Sequence, residues 1–288
     1  MSQSNSYTRN RIFNLTILLI FSFTLSEFFT ASSRSLLEKK SERLELDWGQ
    51  HKARFFGFFR SGKPDHHPGS PPGDGVQAPE RFSYAESAER ARDEGLVYAQ
   101  QALSSLSSNY LMEAGIERKA ALAEGVLLGK TLVRSAYLFH TEYFQDSGVR
   151  VYFETSLLPI WQKIPILSKE TPFSNDTPRF SGLIIRSNRA VSPHAVYRVI
   201  DEVGQPLLEL GDLDPAAFQK NTMGRWFVEA SREELSRAVG SKTVSLEAGV
   251  TEEGAFVVTR AAWQEALQDS GAIVRRAKIV ILQPPPEG

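Results

Sequence analysis

The stretch "YAESAERARDEGLVYAQQALSSL", residues 84–106, constrains the fold of this 288-residue chain more than any other. Ala88, Ala91, Gly95, Ala99, Ala102 and Leu106 recur at three- and four-residue steps, the period of one apolar helix face. All but Leu106 are small, so whatever packs on that face can approach closely. Ser83 and Glu86 form a capping box that satisfies two orphan backbone donors and fixes where the helix starts. A second helical segment is predicted from about Glu117, with Leu122, Val126, Gly129 and Val133 on one face.

Upstream, "ERLELDWGQHKARFFGFF" alternates as a half-buried strand does. Leu44, Leu46 and Trp48 share one parity and Glu45 and Asp47 the other. Gly49-Gln50-His51 turns or bulges the chain, and Ala53 to Phe56 continues extended. The next segment, "SGKPDHHPGSPPGDGVQAPE", is too rich in Pro and Gly for a helix or central strand. Two β-prone runs, Tyr137 to Tyr143 and Val149 to Thr155, are joined by the turn "QDSG". In the second of them Val149, Val151 and Phe153 alternate with Arg150, Tyr152 and Glu154, one buried face and one wet one.

"PIWQKIPILSKETPFSNDTPRF" carries four prolines and marks a domain boundary. Short segments follow: "FSGLIIRS", "HAVYRVIDE", a turn at Gly204 and "QPLLEL". Ser231 and Glu234 cap a helix to about Val239, and Gly240 stops it. "KTVSLEA", the "TEEG" turn and "AFVVT" read as a hairpin, Thr259 opens a helix through Gln268, and "AKIVIL" is an apolar closing strand. The fold class expected is α+β: two small mixed domains, each with helices packed on a short, largely antiparallel sheet.

The N-terminus carries an address. Arg9 and Arg11 precede the apolar run Ile12 to Leu25, and no acidic residue appears before Glu27. This is the layout of a secretory signal; the run is short for a membrane span, which needs about 20 residues, although Phe28 and Phe29 extend it. Residues 1–31 are read as a signal peptide, with Thr24 and Ser26 in a small-x-small cleavage pattern, or as a retained anchor through residues 12–31. Either way the basic side stays in the cytoplasm and the bulk is exported, to the periplasm or cell envelope. A spacer is expected at 32–43, the first domain at 44–165 with its Pro/Gly-rich loop at 61–80, a linker at 166–179, the second domain at 180–282 and a tail at 283–288.

Composition removes several classes of function. Cys is absent, which excludes disulfides, thiolate nucleophiles, Cys-ligated metals and the acylated cysteine of a bacterial lipoprotein. With 33 Lys plus Arg against 34 Asp plus Glu, there is no long-range field to draw in nucleic acid.

The order of parts in the first half, "LDWGQHKARFFG", then the Ala-spaced helix, a second helix and "GVRVYFETSLL", resembles the envelope domain shared by the antigenic LPP-twenty lipoprotein family and the N-terminal part of the flagellar T-ring protein. "FSGLIIRS" followed by "YRVIDEVGQPLLEL" is similar to a domain that often follows it in exported bacterial proteins. The likeness spans roughly Leu44 to Leu282, and brings no catalytic residue; the chain departs from it in lacking a lipobox cysteine and in its longer loop. It implies that the strand opening at Leu44 is the N-terminal strand of a small sheet. Its partner would be the strand at Val149 to Thr155, with the Ala-faced helix packed across both.

Candidate sites each have a plainer reading. "EGVLLGKT", Glu124 to Thr131, resembles a phosphate-binding loop, but Glu124 stands where Gly is needed and a helical pattern precedes it, so Gly129 reads as a helix-packing glycine. Asp65, His66 and His67 are adjacent on a loop, a poor metal cage without further fixed partners. Ser192, His194 and Asp201 carry the letters of a hydrolase triad without a G-x-S-x-G elbow. His51 and His140 read as structural residues in strand-like segments, and Trp48, Trp161, Trp226 and Trp263 are scattered one per region. In "RFFGFF", Arg54 and Arg60 flank Phe55, Phe56, Phe58 and Phe59. Two of these rings are expected in the core and the others over a loop, the alternative being a protein- or membrane-contact patch. No catalytic, cofactor-binding or metal residue is assigned, and no cofactor. The function expected is non-catalytic: an exported envelope protein offering a structural or protein-binding surface, linked to flagellar or other envelope assemblies. Its partners would be envelope proteins or further copies of itself, the membrane through an uncleaved N-terminus, and no nucleic acid. The alternative is an exported hydrolase or ligand-binding enzyme with a site the residues do not reveal.

Overall fold

The structure, a computed structural model, describes residues 34–60, 82–145, 148–167, 179–267 and 271–285. It is α+β, as expected. The first sheet has five antiparallel strands in the order β2-β3-β4-β6-β5: β2 Leu37–Lys39, β3 Leu44–Asp47, β4 Lys52–Arg60, β5 Tyr137–Tyr143 and β6 Gly148–Ser156. β4 and β6 pair along their whole length, Phe55 opposite Phe153, so the strand that opens at Leu44 belongs to the sheet of Val149 to Thr155.

The Ala-faced helix α1 (Tyr84–Glu113) starts at the Ser83–Glu86 capping box and ends before Gly115, whose φ of 86° suits glycine. Ala91, Gly95 and Ala99 are buried against the sheet. The approach is closest where helix and strand cross at two glycines. A Cβ placed on Gly57 of β4 would lie 1.7 Å from the Ala91 carbonyl oxygen, and one on Gly95 would lie 2.7 Å from the Gly57 nitrogen. The second helix, α2 (Arg118–Ser135), lies on α1 just as tightly: Cβ atoms at Gly125 and Gly129 would each come within 2.0 Å of Ser108 Oγ and Ser104 Oγ. Both hydroxyls fold down to donate to carbonyls of their own helix, which clears the interface. The packed face of α2 is therefore Ala121, Gly125, Leu128, Gly129 and Leu132. The face expected from Leu122 and Val126 is corrected, since both are about half exposed.

The second sheet has eight strands in the order β1-β10-β13-β7-β11-β12-β8-β9. They are β1 Arg34–Ser35, β7 Gly182–Ser187, β8 Val199–Ile200, β9 Pro206–Leu208, β10 Arg225–Glu229, β11 Thr243–Val250, β12 Phe256–Val257 and β13 Ile279–Leu282. Short helices α4 (Pro215–Asn221), α5 (Arg232–Val239), α6 (Arg260–Leu267) and α7 (Gly271–Arg275) accompany it, and α3 (Leu158–Trp161) follows β6. The antiparallel character expected of both sheets holds for the first; this one is mixed, because β10, β13, β7 and β11 run parallel. The closing run "IVIL" is not an edge but lies between β10 and β7, which explains its unbroken apolarity.

Two of the expected boundaries are corrected. Residues 34–39 lie in the segment read as a spacer, yet they form β1 in the second sheet and β2 in the first. Their polar composition is that of edge strands, with Leu37 and Lys39 turned outward. Gln283, read as tail, is buried and bonds both main-chain groups of Val191. The loop at 61–80 and most of the linker lie outside the described residues.

Between the sheets runs a hydrogen-bonded seam. Leu36 N–H donates to Trp226 O (3.2 Å), Trp48 N–H donates to Leu36 O (3.0 Å) and Trp226 N–H donates to Trp48 O (3.4 Å). Asp47, expected on the wet face, is buried here: Ser35 Oγ and the Gln50 amide both donate to it, and Arg54 lies 3.5 Å away. Trp48 stacks on Trp161 and meets Tyr110 edge-on. One apolar cluster continues through both sheets.

His51, in the left-handed region with φ 53°, closes the seam with its Nε2 at 3.1 Å from Thr222 Oγ1. Burial, helped by nearby Arg225, pushes its pKa down from 6.5 to about 3. The unfolded chain thus takes up a proton across that window that the folded chain refuses. Stability should fall as pH drops from 6.5 towards 3, by about 1.4 kcal/mol per unit from this group. His51→Asn, which tolerates the same backbone, should flatten the acid limb of a pH–stability curve. An unchanged limb would remove His51 as its cause.

Candidate functional site

Along β4 the parity of the strand separates two faces. Phe55 stacks on Phe153 under the helices, and Phe59 meets Phe82 and the Arg90 guanidinium. Arg54, Phe56 and Phe58 point to the opposite face, which the described helices leave open. The contiguous aromatic run of the sequence is thus divided: two rings serve the core, as expected, and two join a surface patch.

Cross-strand neighbours complete that patch, since register sets Glu154, Tyr152 and Arg150 of β6 opposite Arg54, Phe56 and Phe58. The Arg150 guanidinium lies 4.8 Å from the Phe56 ring centre, 5.4 Å from Phe144, 5.7 Å from Phe58 and 5.9 Å from Tyr152. Tyr152 OH donates to Glu142 (2.8 Å) and Arg150 donates to Tyr152 OH (3.1 Å). At the other end of the face Glu154 gathers Lys52 (2.5 Å), Arg54 (2.9 Å) and Tyr137 OH (2.5 Å). Burial pushes the Glu154 carboxyl up, but these three donors outweigh it and bring the pKa down to about 2. A cleft of about 410 Å³ opens beside the patch, lined by Arg43, Arg54, Phe56, Phe139, His140 and Tyr152.

β5 bounds this face and is an edge strand. Tyr137, Leu138, Phe139 and Tyr143 are each about half exposed, and the register shifts at Phe139. Its main-chain donors and acceptors on the outer side meet no described strand. The sequence places Arg150 and Tyr152 on the wet face of a strand and Tyr137 and Glu142 in a β-prone run, and assigns none of them to a site. The wet half of the alternation from Val149 to Thr155 was the available signal.

The other candidates are dispersed. Gly129, Lys130 and Thr131 lie inside α2, where Thr131 Oγ1 donates to Leu127 O (2.9 Å), so their amides run along the helix and form no phosphate loop. Asp65, His66 and His67 lie outside the described residues. Ser192 and His194 are exposed, while the buried Asp201 is held by Arg260 (2.5 Å) and by the Gln205 and Val203 amides. Burial pushes the Asp201 carboxyl up, and those partners outweigh it and hold it below its ordinary value. His140 is exposed beside Glu142, and all four Trp are buried. Among the described residues no group of three or more His, Asp or Glu is placed to hold a metal.

A larger cleft of about 620 Å³ lies beside Asn188 to Pro193 and Gln283 to Pro285. Its polar groups are largely occupied: Arg189 donates to Thr251 O and Gln283 bridges Val191. No protein-family model matches the chain, and no curated protein matches it either.

Proposed function

We propose that this is a non-catalytic, exported envelope protein that binds a protein partner through the first sheet. The observation that carries the reading is the β5 edge, exposed on its outer side and continuous with the aromatic–Arg150 face. An extended segment of the partner adds to β5, where main-chain hydrogen bonds supply affinity and the patch supplies side-chain selectivity. Export is supported by Arg9, Arg11 and the apolar run to Leu25. The strand–helix–helix–strand order, with its resemblance to the LPP-twenty envelope domain, supports the same setting. Among the described residues no helix is long and apolar enough to cross a membrane.

One experiment in cells tests location and surface together. Photo-crosslinkers at Phe139 and Tyr143 should give a discrete protein adduct in the envelope fraction, and one at Val97 on α1 should not. Phe139→Lys, which charges the edge, should abolish the adduct formed from Tyr143. Full-length protein in the soluble cytosol, or adducts equally strong from Val97, would overturn the proposal.

A further inference from the structure

At the amino ends of β7, β11 and β13 lies a cleft of about 350 Å³, lined by no residue of the first sheet, whose described lining includes Arg179, Arg237, Lys242, Arg276 and Lys278 and no carboxylate. Arg237 pairs with Glu233 one turn away. The other four make no ion pair with any described residue. Such cations often serve only to offset helix carboxyl ends, and α5 and α7 both end near here. Two helix ends supply at most about one negative charge together. Four cations without an ion-pair partner among the described residues therefore leave roughly three positive charges in the described part of the cleft.

The floor is rigid. Gly240, with φ 90°, packs on Ser181, whose hydroxyl is fixed by the main chain of Lys242: it donates to the carbonyl (2.8 Å) and accepts from the amide (3.0 Å). Val239 and Ile273 are buried beneath the rim.

We infer that this cleft binds the phosphate group of a small phosphomonoester. A phosphomonoester carries about −1.5 to −2 at neutral pH, against −1 for a carboxylate, and comes closer to matching the charge. Arginine forks at Arg179 and Arg276 suit its oxygens, and the two lysines add point charge. The chain enters the second sheet at Arg34, opposite Glu229 at the carboxyl end of β10. The cleft is at the other end of the parallel strands. An anchoring membrane would thus lie away from it, which favours a soluble ester over a lipid headgroup.

Isothermal titration of the purified full-length chain with inorganic phosphate, against chloride at matched ionic strength, tests the site. Saturable binding is expected with phosphate, at least tenfold weaker in Arg276→Gln/Lys278→Gln and unchanged in Arg92→Gln on the exposed side of α1. Arg179→Gln, at an exposed rim position, should weaken binding in the same direction if the double variant proves unstable. Phosphatidic acid vesicles separate the sources: sedimentation with them that is lost in the cleft variants would assign a headgroup, and its persistence a soluble ester. Heats that chloride reproduces, or equal affinity in wild type and cleft variants, would overturn the inference.

Discussion

Gly57→Ala should destabilise the protein by about 3 kcal/mol or more, towards the upper end of what overpacking costs. The added methyl would sit 1.7 Å from the Ala91 carbonyl oxygen and 2.6 Å from the Gly95 nitrogen. Both are backbone atoms, so no side chain can rotate aside to make room. Either α1 lifts from the sheet, or β4 bends in the middle of its pairing with β6. Gly271→Ala is the matched control, because a Cβ there meets nothing within 4 Å; it should shift the urea midpoint little or upward. Equal midpoints for the two variants would show that helix and strand do not cross as described.

Trp48→Ala should cost about 3–5 kcal/mol, the range for truncating a large buried aromatic. Its ring is 1% exposed, stacks on Trp161 and donates through Nε1 to Glu38 (2.9 Å). Its main chain also holds Trp226 of the second sheet. The loss should therefore be felt on both sides of the seam. Unfolding of the variant should remain a single transition, with far-ultraviolet circular dichroism and the fluorescence of Trp226 and Trp263 moving together. A second-sheet transition left at its wild-type midpoint would mean that the seam is a contact between independent units.

Local signals were legible where one residue type answers one backbone demand. The capping boxes at Ser83 and Ser231, the helix stop at Gly240 and the small face of α1 stand in the structure where the sequence places them. Pairing was harder. The crossover β10–α5–β11 joins two strands that run the same way in one sheet, yet short apolar segments separated by turns equally suit hairpins. β1 and β2 were missed because edge strands keep polar side chains, and nothing local says that residues near 34 pair with residues near 229. The surface patch was half visible. Phe56 and Phe58 stand out in the sequence as part of an aromatic run, whereas Arg150 gains its meaning only when register sets it among their rings.

The seam also decides when in the life of a chain this protein can become itself. β1 is made well before its partner β10, which emerges only after the whole first sheet and half the strands of the second. Closing so long a loop is slow and yields nothing until its ends meet. A polypeptide still short of Arg225 has β3, β4, β6 and their helices in hand but no main chain to cover Leu36 and Trp48. During that interval a greasy flank stands open beside an uncapped strand edge, the combination that holding chaperones recognise and that aggregation exploits. The arrival of Arg225 to Glu229 is thus the step that converts a sticky half-product into a covered seam.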